Sequence, residues 1–179
     1  MCGLLASVYE SAAKSSGFNV ETIQIGSLDF NPNLGNGYEN RTETSLEKDI
    51  ERCQTLITWA HHLVFVYPTW WGAQPALLKG WIDRVFLPGF AFKYRTDSPL
   101  PEKLLKGKTA RVITTMGAPA WYYRWVYGAP GDKLLKKAVL ELCGIKPVSV
   151  THIGQARHIS EVNKKAVLKK IEQLGQAGI

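Results

Sequence analysis

The chain has 179 residues, 45% of them hydrophobic and 21% charged, with a formal net charge of +7. A globule of that length buries roughly 70% of its unfolded surface, so its core needs no disulfide or metal, and the composition is far from that of a disordered chain. The longest apolar stretch, around Leu63 to Tyr67, falls well short of the about 20 residues that cross a bilayer, so no membrane-embedded protein is expected.

The lysines are spread along the chain without a nucleic-acid-binding motif, so the positive charge reads as help in attracting anionic cofactors and not as a nucleic-acid footprint. Cys2, Cys53 and Cys143 are odd in number and far apart, which fits reduced thiols in a cytoplasmic protein. Neighbouring His61 and His62 would point to opposite faces of a strand, so no metal site is expected.

Leu4, Leu5, Val8, Tyr9 and Ala12 recur at helical spacing up to Gly17, so the chain opens in a helix. Phe18 to Ile25 alternates like a strand, and Asn31-Pro32-Asn33 and Gly35-Asn36-Gly37 mark a loop. Ser45 to Trp59 reads as an amphipathic helix. The continuous apolar run Leu63 to Tyr67, closed by Pro68, reads as a strand buried on both faces. Pro75 opens a helix through Leu87, and Ala110 to Thr115 is a strand. A helix over Asp132 to Leu142 stops at Gly144, a strand covers Lys146 to Ile153, and a last helix covers Ser160 to Leu174. This alternation predicts one α/β domain over residues 1–179, with helices on both faces of a parallel sheet.

Ligands of such sheets sit beyond the carboxyl ends of the strands, so the segments after Tyr67 and Thr115 are the candidate site. The first, Pro68-Thr69-Trp70-Trp71-Gly72-Ala73-Gln74-Pro75, sets two indoles side by side. A single loop tryptophan would cap the core, but two adjacent ones cannot easily point the same way, which frees one for a flat ligand. The second, Met116-Gly117-Ala118-Pro119, leads into Trp121-Tyr122-Tyr123-Arg124-Trp125-Val126-Tyr127-Gly128. A glycine there admits close approach of the backbone to a ligand, and the aromatic density points to an aromatic-lined pocket.

Three stretches together, Pro68 to Gly72, Pro75 to Phe86 and Pro88-Gly89-Phe90-Ala91-Phe92, resemble the hallmark of the NAD(P)H quinone dehydrogenases. That family includes DT-diaphorase, the modulator-of-drug-activity proteins and the ancillary oxidoreductases of potassium-efflux systems. Thr114-Thr115-Met116-Gly117 with its tyrosine-rich continuation resembles the family's second flavin loop, and Asp29-Phe30-Asn31-Pro32 the segment after its second strand.

The resemblance implies a flavodoxin-like three-layer α/β/α sandwich and a cytoplasmic homodimer with one flavin, FAD or FMN, per subunit. NAD(P)H and a quinone-like acceptor would be its substrates, in ping-pong transfer of two electrons. Pro68, Thr69, Trp70, Trp71, Thr114, Thr115, Met116 and Gly117 would hold the flavin. Tyr122 falls near the family's active-site tyrosine, with Tyr123 and Tyr127 competing for that role. DT-diaphorase has a histidine in this loop, whereas no histidine lies here between His62 and His152. Gly80, costing a helix interior about 1 kcal/mol, marks tight packing, either against a dimer partner or within the fold.

The family's sheet order, 2-1-3-4-5, starts with a buried strand and phosphate loop ahead of the first helix, and these are absent from this sequence. The strands at Phe18 to Ile25 and Leu63 to Tyr67 are therefore not expected to be neighbours, and about 15 further residues are expected upstream. Flavin affinity would suffer accordingly. A regulatory ancillary subunit of a potassium-efflux transporter, and an inactive truncated paralogue, are the alternative functions. In the flavin reading, Trp70 and the tyrosine cluster share one end of the sheet.

Overall fold

The computed structural model describes residues 1–34 and 46–179. Helix α1 (Cys2–Ser15) opens the chain and ends where Gly17 turns it with φ of 87°. Helix α2 (Lys48–Trp59) follows, while the Ser45 start and the Gly35 to Gly37 turn lie outside the described residues. Strand β1 (His62–Pro68) and helix α3 (Ala76–Val85) match their apolar patterns, with Pro75 at the N-cap of α3. Two features were not legible in the pattern. One is a short antiparallel pair, β2 (Phe92–Lys93) with β3 (Glu102–Lys103); the other is helix α4 (Ala120–Trp125), made from the aromatic run.

Strand β4 (Thr109–Thr115) pairs in parallel with β1 on one side and with β5 (Val148–Ile153) on the other. Strand β5 starts two residues later than the sequence pattern, because Pro147 has no N–H to give to a ladder. Between β4 and β5 the chain is helical over residues 130–143: α5 (Pro130–Lys133), a π-type stretch Leu134–Leu140, and α6 (Glu141–Cys143). Gly144 ends it at φ of 102°. Helix α7 (Glu161–Gln176) closes the chain, its Ser160 hydroxyl accepting from the Asn163 N–H at 3.3 Å.

Two apolar clusters sandwich the sheet. On one face Phe65, Tyr67, Ala110, Val112 and Val148 meet α2, α3 and the 134–140 stretch. On the other Ile113 and Ile153 meet Leu5 and Tyr9 of α1 and Ile171 of α7, with Val64 and Val66 at the margin. The result is a three-layer α/β/α arrangement around a parallel sheet.

The predicted strand at Phe18 to Ile25 is the main correction. No ladder forms there, and Ile25–Ser27 is a 3-10 turn. The alternation is nonetheless real, since Val20 packs with the α1 cluster while Ile23 and Ile25 pack with the opposite one. A strand needs a hydrogen-bonding neighbour as well as a pattern, and among the described residues this segment has none. It is not paired with β1, as the order 2-1-3-4-5 requires; a cavity of about 870 Å³ is lined by both.

Gly80 is explained within the chain. A Cβ placed on it would lie 2.5 Å from Cβ of Pro32 and 3.0 Å from its carbonyl oxygen. The loop carrying Pro32 therefore crosses α3 there, and Arg84 Nη1 fixes it by donating to the Asn31 carbonyl at 2.8 Å. No dimer partner is needed to account for this glycine.

Candidate functional site

The loop after β1 is tied to β4 at its root, where the Thr69 N–H donates to the Thr115 carbonyl at 2.7 Å. It then closes into a tight turn in which Trp70 and Ala73 exchange both backbone hydrogen bonds, at 2.9 and 3.0 Å. Trp71 and Gly72 occupy its tip with φ of 50° and 78°. A bulky aromatic residue rarely adopts a positive φ, so the turn is held there by its surroundings. In consequence Trp71 is fully exposed and Trp70 is 60% exposed. Neither indole caps the core.

Tyr123 supplies much of the hold. It is 3% exposed, its hydroxyl donates to the Gly72 carbonyl at 3.1 Å, and it accepts from the Gly131 N–H at 3.1 Å. The same Gly131 N–H reaches the Gly72 carbonyl at 2.9 Å. A Cβ on Gly131 would lie 2.7 Å from that carbonyl, so only glycine allows the start of α5 to approach so closely. The tryptophan turn, the tyrosine segment and α5 are thus one knot beyond the carboxyl ends of β1 and β4, where the two aromatic groups were expected to meet.

The three tyrosines differ. Burial, and then the charge of Asp132, push the Tyr123 hydroxyl above its ordinary pKa. Tyr122 is half-buried and Tyr127 exposed; their rings meet edge to face at 5.1 Å, and neither hydroxyl bonds to a described residue. Trp121 and Trp125 are largely exposed beside them.

Of the remaining predicted flavin contacts, Pro68 and Thr69 are half-buried at the root of the turn. Thr115 faces α1 and lies 3.2 Å from the Cys2 sulfur. Met116 is buried, with its N–H on the Ile153 carbonyl at 2.9 Å. A Cβ on Gly117 would meet nothing within 4 Å, so no neighbour within the chain requires glycine there. Thr114 is 1% exposed and its hydroxyl has no partner among the described residues.

Sequence reasoning missed a row of polar groups beneath this site. Tyr67, Thr114 and His152 stand in register on adjacent strands. His152 Nε2 lies 2.7 Å from Asp132 Oδ2, and its ring meets Tyr123 edge to face at 5.6 Å. The Tyr67 hydroxyl and both amide atoms of Gln74 are buried without partners. Burial, then Asp132 and Tyr123, push the Tyr67 hydroxyl strongly up. A histidine one residue before the carboxyl end of a strand, as His152 is in β5, was the available signal. No cluster of metal-ligating side chains occurs among the described residues, and no helix there is long and apolar enough to cross a membrane.

Comparison with known proteins agrees with this geometry. Residues 1–176 match the model of a family described as having a flavodoxin-like fold. A Haemophilus influenzae protein called an uncharacterized NAD(P)H oxidoreductase is 30% identical over 178 residues, 97% of this chain and 86% of that protein. The human ribosyldihydronicotinamide dehydrogenase [quinone] is 36% identical over 139 residues, 73% of this chain and 58% of the human protein. Among solved structures, an NAD(P)H:quinone oxidoreductase from Methanothermobacter marburgensis superposes with a TM-score of 0.78, at 21% identity, covering 98% of this chain and 88% of its own. By sequence over almost its whole length and by the arrangement of its layers, the chain belongs to the flavodoxin-like fold family.

Proposed function

We propose that residues 1–179 act as one flavin-binding domain of an NAD(P)H:quinone oxidoreductase, a cytoplasmic homodimer. The observation that carries this reading is the exposed indole pair on a left-handed turn, braced from below by Tyr123. Solvent would not favour two bare indoles on a rigid turn, whereas a flat aromatic ring stacks on them and covers their apolar faces. The residues fit such a group: Trp70 and Trp71 would flank it, the open backbone at Gly117 would approach its edge, and Met116 and Thr115 would close the floor. Thr114, 1% exposed, would form the back of that floor.

A bound flavin, FAD or FMN, supplies the two-electron hydride chemistry, and the protein supplies orientation and hydrogen bonding. Tyr122 and Tyr127, with hydroxyls free of described partners, would donate to negative charge developing on the acceptor oxygen. Tyr123 would act as the brace that fixes the tryptophan turn. The names of the bacterial and human relatives given above support the nicotinamide and quinone assignments.

The test is purification of the full chain, identification of retained flavin by absorbance and mass, and NADH- or NADPH-dependent menadione reduction. Replacing Trp70 and Trp71 together with alanine should abolish both flavin retention and reduction. A chain that neither retains nor binds added FMN or FAD would overturn the reading, and a monomer in light scattering would overturn the dimer.

A further inference from the structure

We propose that Asp132 and His152 are positioning residues for the tryptophan turn: His152 anchors both the start of α5 and the Tyr123 brace to β5, and so fixes how Trp70 and Trp71 meet a flavin. The inference rests on the flavin reading above. Its basis is that one imidazole touches both arms of the clamp. Nε2 of His152 lies 2.7 Å from Asp132 Oδ2, and its ring backs the Tyr123 ring edge to face at 5.6 Å.

Helix α5 does not set its own position. It has four residues, and Ala129 leads into it with φ of 49°, a conformation that alanine adopts only when its surroundings enforce it. Its Gly131 N–H is directed outward, to the Gly72 carbonyl and the Tyr123 hydroxyl. Among the described residues, the Asp132–His152 contact is the one side-chain hydrogen bond from α5 to the sheet. Strand β5 is paired with β4 along its length, and the tryptophan turn is rooted on β4 through the Thr69 N–H. Two arms rooted on neighbouring strands therefore meet at Gly131 and Gly72.

That meeting has no slack. A Cβ on Gly131 would lie 2.7 Å from the Gly72 carbonyl oxygen and 2.9 Å from Cα of Ala73. A shift of α5 by about 1 Å toward the turn would clash, and the same shift away would stretch the 2.9 Å hydrogen bond past useful length. The side chains that hold this distance are 15% and 13% exposed, so water competes little with the bond from the imidazole to the carboxylate. Removing a pair that only adds stability would leave the turn where it is, whereas removing a positioning pair moves it.

The experiment uses the full chain labelled with 5-fluorotryptophan, its Trp71 fluorine signal assigned by loss in Trp71→Phe. Asp132→Ala removes the bond from one side; His152→Phe removes it from the other while keeping a ring against Tyr123, and carries the test if Asp132→Ala fails to fold. In both, the Trp71 signal should shift or broaden while that of the buried Trp81 stays, and the FMN dissociation constant should rise at least tenfold. Asp132→Asn keeps an acceptor for the imidazole and should return FMN affinity to within threefold of the unaltered chain. Ser160→Ala removes the N-cap bond of α7 in the opposite layer, and should destabilise the chain without changing either readout. An unchanged Trp71 signal or FMN affinity in the folded variants, no recovery in Asp132→Asn, or equal losses in Ser160→Ala would overturn the proposal. An unaltered chain that binds no flavin would instead overturn the flavin reading, and the fluorine signal alone would then decide whether the pair positions the turn.

Discussion

Replacing Tyr123 by phenylalanine separates bracing from chemistry. The substitution keeps the buried ring and its contact with His152 but removes a hydroxyl that makes two hydrogen bonds of 3.1 Å. Neither partner is orphaned, because the Gly131 N–H and the Gly72 carbonyl still bond each other at 2.9 Å. The loss is thus that of two net hydrogen bonds without a stranded buried group, about 1–2 kcal/mol. In a chain of this length each kcal/mol corresponds to roughly 2–4 °C, so the melting temperature should fall by roughly 2–8 °C. Flavin affinity should fall with it, since the tryptophan turn loses its clamp. Tyr122→Phe is the control: its hydroxyl has no described partner, so thermal stability should hold while kcat for quinone reduction falls. Differential scanning fluorimetry and flavin titration of both variants read the outcome. An unchanged melting temperature for Tyr123→Phe, or equal destabilisation by Tyr122→Phe, would refute the brace.

Gly80→Ala should destabilise the chain despite a helix-propensity gain of about 1 kcal/mol, because a Cβ 2.5 Å from Pro32 forces overpacking of about 1–3 kcal/mol or a loop shift; denaturant titration checks this, and Pro32→Gly should restore most of the loss. Asp132→Ala should lower stability by about 1 kcal/mol by removing the 2.7 Å partner of the half-buried His152 nitrogen, and Asp132→Asn should recover part of it in the same titration. Burial, and then Arg111, hold the His62 imidazole below its ordinary value of 6.5. The unfolded chain therefore takes up that proton first as the pH falls, so this contribution is complete above about pH 6.5 and is lost progressively below it. His62→Gln should flatten that part of the stability profile; an unchanged acid slope would count against it.

Much of the fold was legible because it is written in local periodicity. The helical spacing of Leu78, Trp81, Ile82 and Val85 reports burial on one face, although Leu77, expected to face inward with them, is exposed, and the apolar run at Leu63 to Tyr67 marks a strand buried at Phe65 and Tyr67 with Val64 and Val66 half-buried on its other face. The Trp70-Trp71-Gly72 turn was recognisable by residue type, since adjacent indoles on a loop cannot both serve the core. The segment at Phe18 to Ile25 shows the limit: its alternation sets which side chain faces which layer, but a ladder depends on a neighbour that no local pattern supplies. Likewise Tyr122, Tyr123 and Tyr127 are equivalent letters in the sequence. Only the approach of Gly131 to Gly72 buries one hydroxyl as a strut and leaves two open. The row formed by Tyr67, Thr114 and His152 depends on strand register and on Asp132 arriving from a different element. Side-chain periodicity is a property of one segment, whereas hydrogen-bond partnership is a property of two, and only tertiary packing decides which two meet.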